Sequence, residues 1–552
     1  MALASLCSEA VTTFGRPLTL TGFIVDHKLR EGSTEEARNV AFVLEKLKIT
    51  PEILTLDWKE HGDPATLTNL ESIARRLRYQ ALGKAARSAR IQSLFVGHHA
   101  DDQAETVLSR LVGGYLGAGL QAIQPVRPIP ECERMYGVCE SGVPRQTRVK
   151  NDPSRTGRFM SVESGGVNIV RPLLSFTKRE LVTVCQNADV RWVEDQTNTD
   201  PTYTLRNTVR HLLGSDSLPK ALQTKRLVHL ANSSAMKEWK IERIGQRCFE
   251  ETTIRLNIRA GTASFTIPKV YREIPNDPEA AYHVKLVVLR KIVNLIAPGG
   301  HAGLQDLHGA VHMVFNSEKN NNVYIQERLR CTVAETLIYR EKDERGTLTY
   351  TVHRQPPRLA LRSEQSYQAH LLPLDNAEGG LLASDWHLWD GRYWLRILSR
   401  NEQISTQCIT VRFLSPADVA AARKTLPRAY RHSLDRDLRA VSTDAHYTLP
   451  AIFERVMPLD GGAPEEILVA LPSLDWSNKD RWTQWVGFAD AKQRDVRSCF
   501  WDIRYRSTDL KHSDQHTFEN SDRVAIDTRK RPARPRSRKE SEKSPAAAFS
   551  AR

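Results

Sequence analysis

The stretch IQSLFVGHHADDQAETVLSRLVGG, Ile91 to Gly114, changes character abruptly at Gly97. An apolar run, SLFV, gives way to two histidines, three carboxylates and a glutamine within Gly97–Thr106. The run reads as a buried strand. DDQAETVLSRLVGG reads as a helix that Gly113 and Gly114 end. Upstream the same alternation recurs. LTLTGFIV (Leu18–Val25) is β-branched and apolar, a buried strand. STEEARNVAFVLEKLKI has an N-cap at Ser33 or Thr34 and helical apolar spacing at Val40, Val43, Leu44 and Leu47. EILTL (Glu52–Leu56) reads as a strand, and NLESIARRLRYQALGKAARSA as a helix capped at Asn69. Strands and helices alternating over short connections predict an α/β, doubly wound, mostly parallel sheet covered on both faces. Ligands bind such sheets at the carboxyl ends of strands. Two of those ends are VDHKLR, after the first strand, and GHHADD, after the third.

Residues 1–14 read as a helix that leads directly into the first strand. In a doubly wound nucleotide-binding domain a strand and a phosphate-holding loop precede such a helix. The expectation is that these elements belong upstream of Met1.

The chain has 552 residues, which predicts two or three domains, and 40% hydrophobic residues, enough for ordinary cores. Its formal charge of +14, from 79 basic against 65 acidic residues, points to a polyanionic partner, most simply nucleic acid. Part of that excess lies in RKRPARPRSRKE (Arg529–Glu540), with seven basic residues and one acid. Eight scattered cysteines form no Cys-x-x-Cys, so a zinc ribbon or dithiol motif is not supported. No apolar run approaches the ~20 residues of a membrane span, and no membrane partner is expected. The expected organisation is an α/β domain over residues 1–215, a helical or mixed region over 216–350, a strand-rich domain over 351–510 and a disordered basic tail over 511–552. A polar Arg/Gly/Pro/Ser-rich insertion, disordered or mobile, is expected over 129–168. HLWDGRYWLRIL (His387–Leu398) reads as a hairpin around Asp390-Gly391.

For a helix that starts near Ala100, the side chains of His98 or His99, Asp102, Glu105 and Ser109 converge at its N-terminus, where free N–H groups favour negative charge. Three readings follow from this spacing. The cluster is a helix cap, with Asp101 and Asp102 capping and Glu105 solvated. Alternatively it is half of a metal site, completed by Asp26 or His27 from the neighbouring strand end. In the third reading it faces a nucleotide whose phosphates carry Mg²⁺ and need only one or two carboxylates from the protein.

Taken together, VDHKLREGSTEEA, ESIARRLRYQAL, GHHADDQAETVLSRLVGGYLGAGLQAI, VRPLL and WVEDQTNTDPTYTLRNTVR resemble, in that order, the tRNA(Ile)-lysidine synthase family of PP-loop ATP pyrophosphatases. The resemblance covers roughly residues 1 to 213, and HHADDQAET fits the family's His-His-x-x-Asp-Gln-x-Glu-Thr signature at each specified position. It implies a parallel PP-loop domain of the adenine nucleotide alpha hydrolase type. The implied reaction is ATP-dependent ligation of free lysine to C2 of the anticodon wobble cytidine of tRNA(Ile) with a CAU anticodon, through an adenylylated cytidine. The implied substrates and partners are ATP with Mg²⁺, lysine and that tRNA, with a homodimer as the possible assembly and no metal held by the protein alone. Four residues are implied as catalytic: Asp102 and Glu105 receive the lysine ammonium or its proton, His98 neutralises charge on the intermediate, and Arg75 holds phosphate or the cytosine edge. Asp26, His27, His99 and Arg78 are expected at the ATP and substrate pocket, and Arg206 and Arg210 on tRNA. Thiolases of the superfamily use paired cysteines, which this chain lacks, so amination is favoured over sulfur transfer. The alternatives are a non-catalytic tRNA-binding remnant and another amidating PP-loop enzyme.

The family's first motif, Ser-Gly-Gly-x-Asp-Ser, is not among these residues. In the family it is followed by a helix that often begins Met-Ala-Leu, and this chain begins MALASL. Met1 is accordingly expected to be an internal methionine of a longer, active protein. Eukaryotic members act in organelles, and this long form with its basic tail predicts a mitochondrial address.

Overall fold

The computed structural model describes residues 1–15, 18–145, 160–192, 205–214, 218–315, 329–342, 346–358, 362, 364–374, 380–400, 409–441, 445–456, 464–478, 482–484, 499–511 and 516–519. Its first region runs α1 (Ala2–Phe14), β1 (Thr21–Asp26), α2 (Ser33–Lys46), β2 (Thr50–Thr55), α3 (Leu70–Ser88), β3 (Ser93–Phe95) and α4 (Ala100–Val112). It continues with β4 (Val126–Pro128), β5 (Ser161–Val162), β6 (Asn168–Val170), α5 (Lys178–Asn187) and α6 (Leu205–Gly214). The expected alternation is present.

β1 and β2 pair in parallel from Thr21↔Thr50 to Asp26↔Thr55. Period-two alternation sends the side chains of β1 to opposite faces. On one face Gly22 lets α2 close on the strand, since a Cβ there would lie 2.6 Å from Leu44 Cδ1. On the other, Phe23 joins Tyr79, Ala86, Leu94 and Ile169, while Val25 joins Leu56, Trp58 and Ile73. Helices therefore cover both faces. β3 runs parallel to β6, and β4 closes that sheet antiparallel. Among the described residues the sheet is in two pieces, β1–β2 and β3–β6–β4, tied through the Phe23 side chain.

The insertion expected at 129–168 is not loose where it is described. Ile129, Cys132, Val138 and Val167 are buried with Tyr79 and Leu94 of the first domain. Met160 and Val162 are buried in the C-terminal core, and β5 pairs in parallel with the strand Cys499–Tyr505. The polar composition hid these apolar anchors, which are few but fully used. The basic centre, 146–159, lies outside the described residues, as does 193–204 of the WVEDQTNTDPTYT segment.

Beyond α6 come α7 (Thr224–Glu251), β7 (Thr253–Asn257), β8 (Thr262–Thr266), α8 (Pro278–Asn294), α9 (His308–Phe315), β9 (Leu329–Val333), β10 (Thr336–Lys342) and β11 (Leu348–Arg354). The boundary expected at 350/351 falls inside β11. One hydrophobic cluster runs from Phe249 and Val288 through Tyr350 to Trp389, Ile452 and Trp501, so the two regions share a core. The expected hairpin forms between His387–Trp389 and Tyr393–Ser399. Gly391 turns it at φ 62, and a Cβ there would sit 1.8 Å from the Pro298 carbonyl oxygen, so only glycine fits. His516–Glu519, expected in the disordered tail, forms an edge strand parallel to β7. The remainder of the basic tail lies outside the described residues.

Candidate active site

α4 starts where the sequence places it, with His99 in extended backbone at the N-cap. Asp102, in the first turn, turns back and accepts a hydrogen bond from the His99 amide at 3.0 Å. Asp101 accepts one from the Lys178 amide at 2.7 Å, and the Ala100 amide donates to the Phe176 carbonyl. The capping reading therefore holds for Asp102, whereas Asp101 caps the start of α5 instead and ties the two helix starts together. The His99 ring stands 3.4 Å from Asp101 and 3.6 Å from Asp102. Burial would lower its pKa, but the Asp101 bond and the charges of Asp102, Asp101 and Glu105 outweigh this and raise it. His98 goes the other way. Burial lowers its pKa against the opposing pull of Asp102, and the charges of Arg171, Arg206 and Arg78 act in the same direction as burial. Adjacent imidazoles are thus driven apart, His99 toward the cation and His98 toward the neutral form, a pattern that separates acid from base roles.

Glu105 lies one turn further and is 3% exposed. Both its oxygens are taken. Arg210 donates Nε to Oε1 at 2.7 Å and Nη2 to Oε2 at 3.1 Å, and Arg206 donates Nε to Oε2 at 3.0 Å. Arg206 also reaches Asp102 Oδ1 at 3.4 Å. This revises the expected division of labour. Glu105 is not solvated, and its lone pairs hold arginines rather than standing open to a lysine ammonium. Arg206 and Arg210 reach back onto Glu105 of α4 while their side chains remain 49% and 35% exposed. A buried carboxylate needs such partners, since desolvation of an unpaired one is prohibitive. Asp102, shared between its own cap and one guanidinium edge, is the more available carboxylate.

At the end of β1, Asp26 is 2% exposed and fully engaged within its own loop. It accepts from the Lys28 amide at 3.1 Å and from the Ser33 and Thr34 hydroxyls at 2.8 Å each, with Lys28 Nζ at 3.3 Å. Burial would raise its pKa, but these donors hold it down at about 2. Asp26 therefore shapes the turn between β1 and α2 rather than offering oxygens to a ligand. His27 places its carbonyl on the Trp58 indole at 2.8 Å, while its buried Nδ1 has no partner among the described residues. Burial and the Arg78 charge lower its pKa. Arg78 thus acts on both His27 and His98, so the ends of β1 and β3 lie near one guanidinium. Arg75 is more peripheral, with its Nε 3.4 Å from Glu131 and its guanidinium over the Tyr79 ring at 4.9 Å.

One residue of this space was missed. Arg171, at the end of β6, is 6% exposed, donates Nη1 to the Gln124 carbonyl at 2.8 Å and has a buried Nε with no partner among the described residues. Burial lowers its pKa, and the Arg127 and Arg75 charges act in the same direction. VRPLL carried this arginine in view, and its position immediately after a strand was the available signal. With Arg78, Arg171 and Arg206 around His98, the site is electropositive and suited to phosphate or a developing oxyanion. Among the described residues no three His, Cys, Asp or Glu side chains are grouped to hold a metal. No described helix is long and apolar enough to cross a membrane.

Residues 1–216 match the sequence profile of the PP-loop domain. The chain is 32% identical over 227 residues to a probable tRNA(Ile)-lysidine synthase of Schizosaccharomyces pombe, covering 41% of this chain and 44% of that protein. It is 32% identical over 222 residues to the tRNA(Ile)-lysidine synthase of Novosphingobium aromaticivorans, covering 40% and 56%. With the tRNA(Ile)-lysidine synthase of Chlamydia muridarum it shares 30% over 199 residues, covering 36% and 50%. The chain therefore spans about half the length of the curated relatives it matches. Its N-terminal region is a PP-loop α/β domain.

Proposed function

We propose that this chain, through its PP-loop domain, ligates lysine to C2 of the wobble cytidine of tRNA(Ile) bearing a CAU anticodon, using ATP. The observation that carries the reading is the space at the ends of β1, β3 and β6, where neutral His98 and Asp102 stand among Arg78, Arg171 and Arg206. The names of the relatives supply the tRNA and the product.

The cytidine C2 oxygen attacks the α-phosphorus of ATP and releases pyrophosphate, leaving C2 activated as an adenylate. The lysine ε-amine then adds at C2, the C2–O bond breaks and AMP departs. A proton must leave the attacking nitrogen. His98, held neutral chiefly by burial, accepts it, and Asp102 pairs with the lysine ammonium before attack. Glu105 acts one step removed, fixing Arg206 and Arg210 so that Arg206 faces Asp102. Arg171 and Arg78 take phosphate charge. Asp26 and Glu105 have both oxygens engaged, so Mg²⁺ enters on the ATP phosphates rather than in a cage of protein carboxylates. We place the reaction in mitochondria, on the eukaryotic character of the long form, with a homodimer as its assembly.

The test is ATP-dependent incorporation of labelled lysine into unmodified tRNA(Ile)(CAU) by the full-length protein. Incorporation that also requires Asp102 and His98 is the expected result. Full incorporation by Asp102→Asn and His98→Asn variants would overturn these roles, and its absence from the wild-type protein would overturn the reaction.

A further inference from the structure

α7 joins the two halves of the molecule. Leu227 and Ala231 of its first turns pack on Ala104, Val107 and Leu108 of α4, and Cys248 and Phe249 of its last turns enter the C-terminal core. Gly245 lets α8 press against it, since a Cβ there would lie 2.4 Å from Val287 Cγ1. Those contacts use one side of the helix. The opposite side carries Met236, Lys240 and Arg243 at i, i+4 and i+7, flanked by Lys237 and Trp239, and all five are exposed. Trp239 is 53% exposed and Met236 54%, unusual values for large apolar side chains at mid-helix. The Arg243 guanidinium lies 5.1 Å above the Trp239 ring. Glu242, beside Arg243 in the chain, is taken by Arg290 of α8. Among the described residues, Lys237, Lys240 and Arg243 have no ion-pair partner.

We propose that this outer face of α7 is an RNA-docking surface, on which an unpaired base stacks on Trp239 while Lys237, Lys240 and Arg243 neutralise flanking phosphates. The inference rests on the tRNA reading above and adds a surface to it. An aromatic face set among unpaired cations is the chemistry that holds single-stranded or looped nucleic acid, because every base has a π-face and every nucleotide a charge. A protein partner would cover an apolar patch rimmed by mixed charges, whereas this patch is rimmed by cations. Because α7 packs on α4, RNA held here is held beside the domain that carries the candidate active site.

The experiment measures binding of unmodified tRNA(Ile)(CAU) to the full-length protein across a salt series, for wild type, Trp239→Ala, Trp239→Phe and Lys240→Glu/Arg243→Glu. Loss of stacking weakens Trp239→Ala by about tenfold or more, and Trp239→Phe restores most of it. The charge-reversed variant binds more weakly and with a shallower salt dependence, by roughly one unit of slope for each phosphate it no longer neutralises. ATP binding is measured alongside and stays at the wild-type level. Unchanged tRNA affinity in both Trp239→Ala and the charge-reversed variant, with lysine incorporation intact, overturns the docking surface and leaves the reaction standing. Wild-type protein that binds no RNA overturns both. A photoreactive residue at position 239 that crosslinks to protein and not to added tRNA also overturns the surface.

Discussion

Arg210 grips Glu105 at both oxygens, Nε to Oε1 at 2.7 Å and Nη2 to Oε2 at 3.1 Å, although 105 positions separate them in the chain. With Arg206 on the same carboxylate, this clamp fixes α6 across α4 beside Asp102. The two guanidinium groups are partly exposed while the carboxylate is not, so the sensitive partner is Glu105. Replacing Arg206 and Arg210 together by Met strands a buried charge and costs about 3 kcal/mol of stability. Adding Glu105→Gln to that double variant returns most of the loss. Urea unfolding of the three proteins checks this cycle, and failure of the third substitution to rescue would mean that the arginines stabilise the domain through other contacts.

Neighbouring His98 and His99 predict opposite pH behaviour. His99 is raised above its ordinary value of 6.5, so its stabilising effect is complete below that value and fades as pH rises through the folded-state pKa. His98 is lowered, so below 6.5 the unfolded chain takes up a proton that the folded chain declines, and stability falls with acidification. His99→Asn should therefore cost more at about pH 6 than at about pH 9, and His98→Asn should remove part of the loss between about pH 7 and pH 5. Urea midpoints across that range decide it. Slopes of the same sign in both variants would be incompatible with the arrangement described.

The sequence exposed the ends of β1 and β3 because both are apolar runs that stop abruptly at charge, and it exposed the start of α4 because capping is local. It did not expose what Glu105 does. Spacing along one helix predicts which residues share a face, and says nothing of an arginine a hundred positions away. For the same reason Asp26 looked like a ligand, when its partners Ser33 and Thr34 were already in the quoted stretch and close enough to satisfy it. Arg171 was overlooked because one arginine after a short strand has no periodicity to mark it. The insertion looked disordered because composition averages over Ile129, Val138 and Val162, and a two-residue strand such as β5 leaves no pattern at all.

Asp26 provides a prediction separate from catalysis. Its carboxylate, held at about 2 by hydroxyl and amide donors, supplies stability that is present above its ordinary value of 3.8 and is lost as pH falls through the folded value. Asp26→Asn loses charge-assisted bonds in the turn after β1, each contributing about 1.5–3 kcal/mol, and loosens the segment 27–34. Its stability should be lower than that of wild type at neutral pH and flatter between about pH 4 and pH 2. Acid titration followed by circular dichroism reads the difference. A variant that matches wild type at neutral pH would show that the turn does not depend on the carboxylate.

The junction of the insertion with the C-terminal sheet makes the last prediction. Glu163, 1% exposed, accepts at Oε1 from the Tyr136 hydroxyl and Arg504 Nη1, each at 3.0 Å, and at Oε2 from the Gly142 amide at 2.7 Å. Its own amide donates to the Tyr505 carbonyl, continuing the pairing of β5 with Cys499–Tyr505. Tyr136 stacks on Trp386 at 4.3 Å, and Arg504 lies 4.5 Å above the same indole. A carboxylate from the N-terminal region thus satisfies three donors, one of them on the far sheet. Glu163→Ala removes the acceptor of the Tyr136 hydroxyl and the Gly142 amide, while Arg504 keeps Asp502, and costs about 3 kcal/mol. The loss is local first, so amide exchange should accelerate at 160–164 and 499–505 while α4 keeps its protection. Glu163→Gln retains an acceptor for Tyr136 and should fall between wild type and Glu163→Ala. Uniform acceleration through α4 would mean that the junction supports the whole PP-loop domain, and unchanged exchange at 160–164 would mean that β5 is held without the carboxylate.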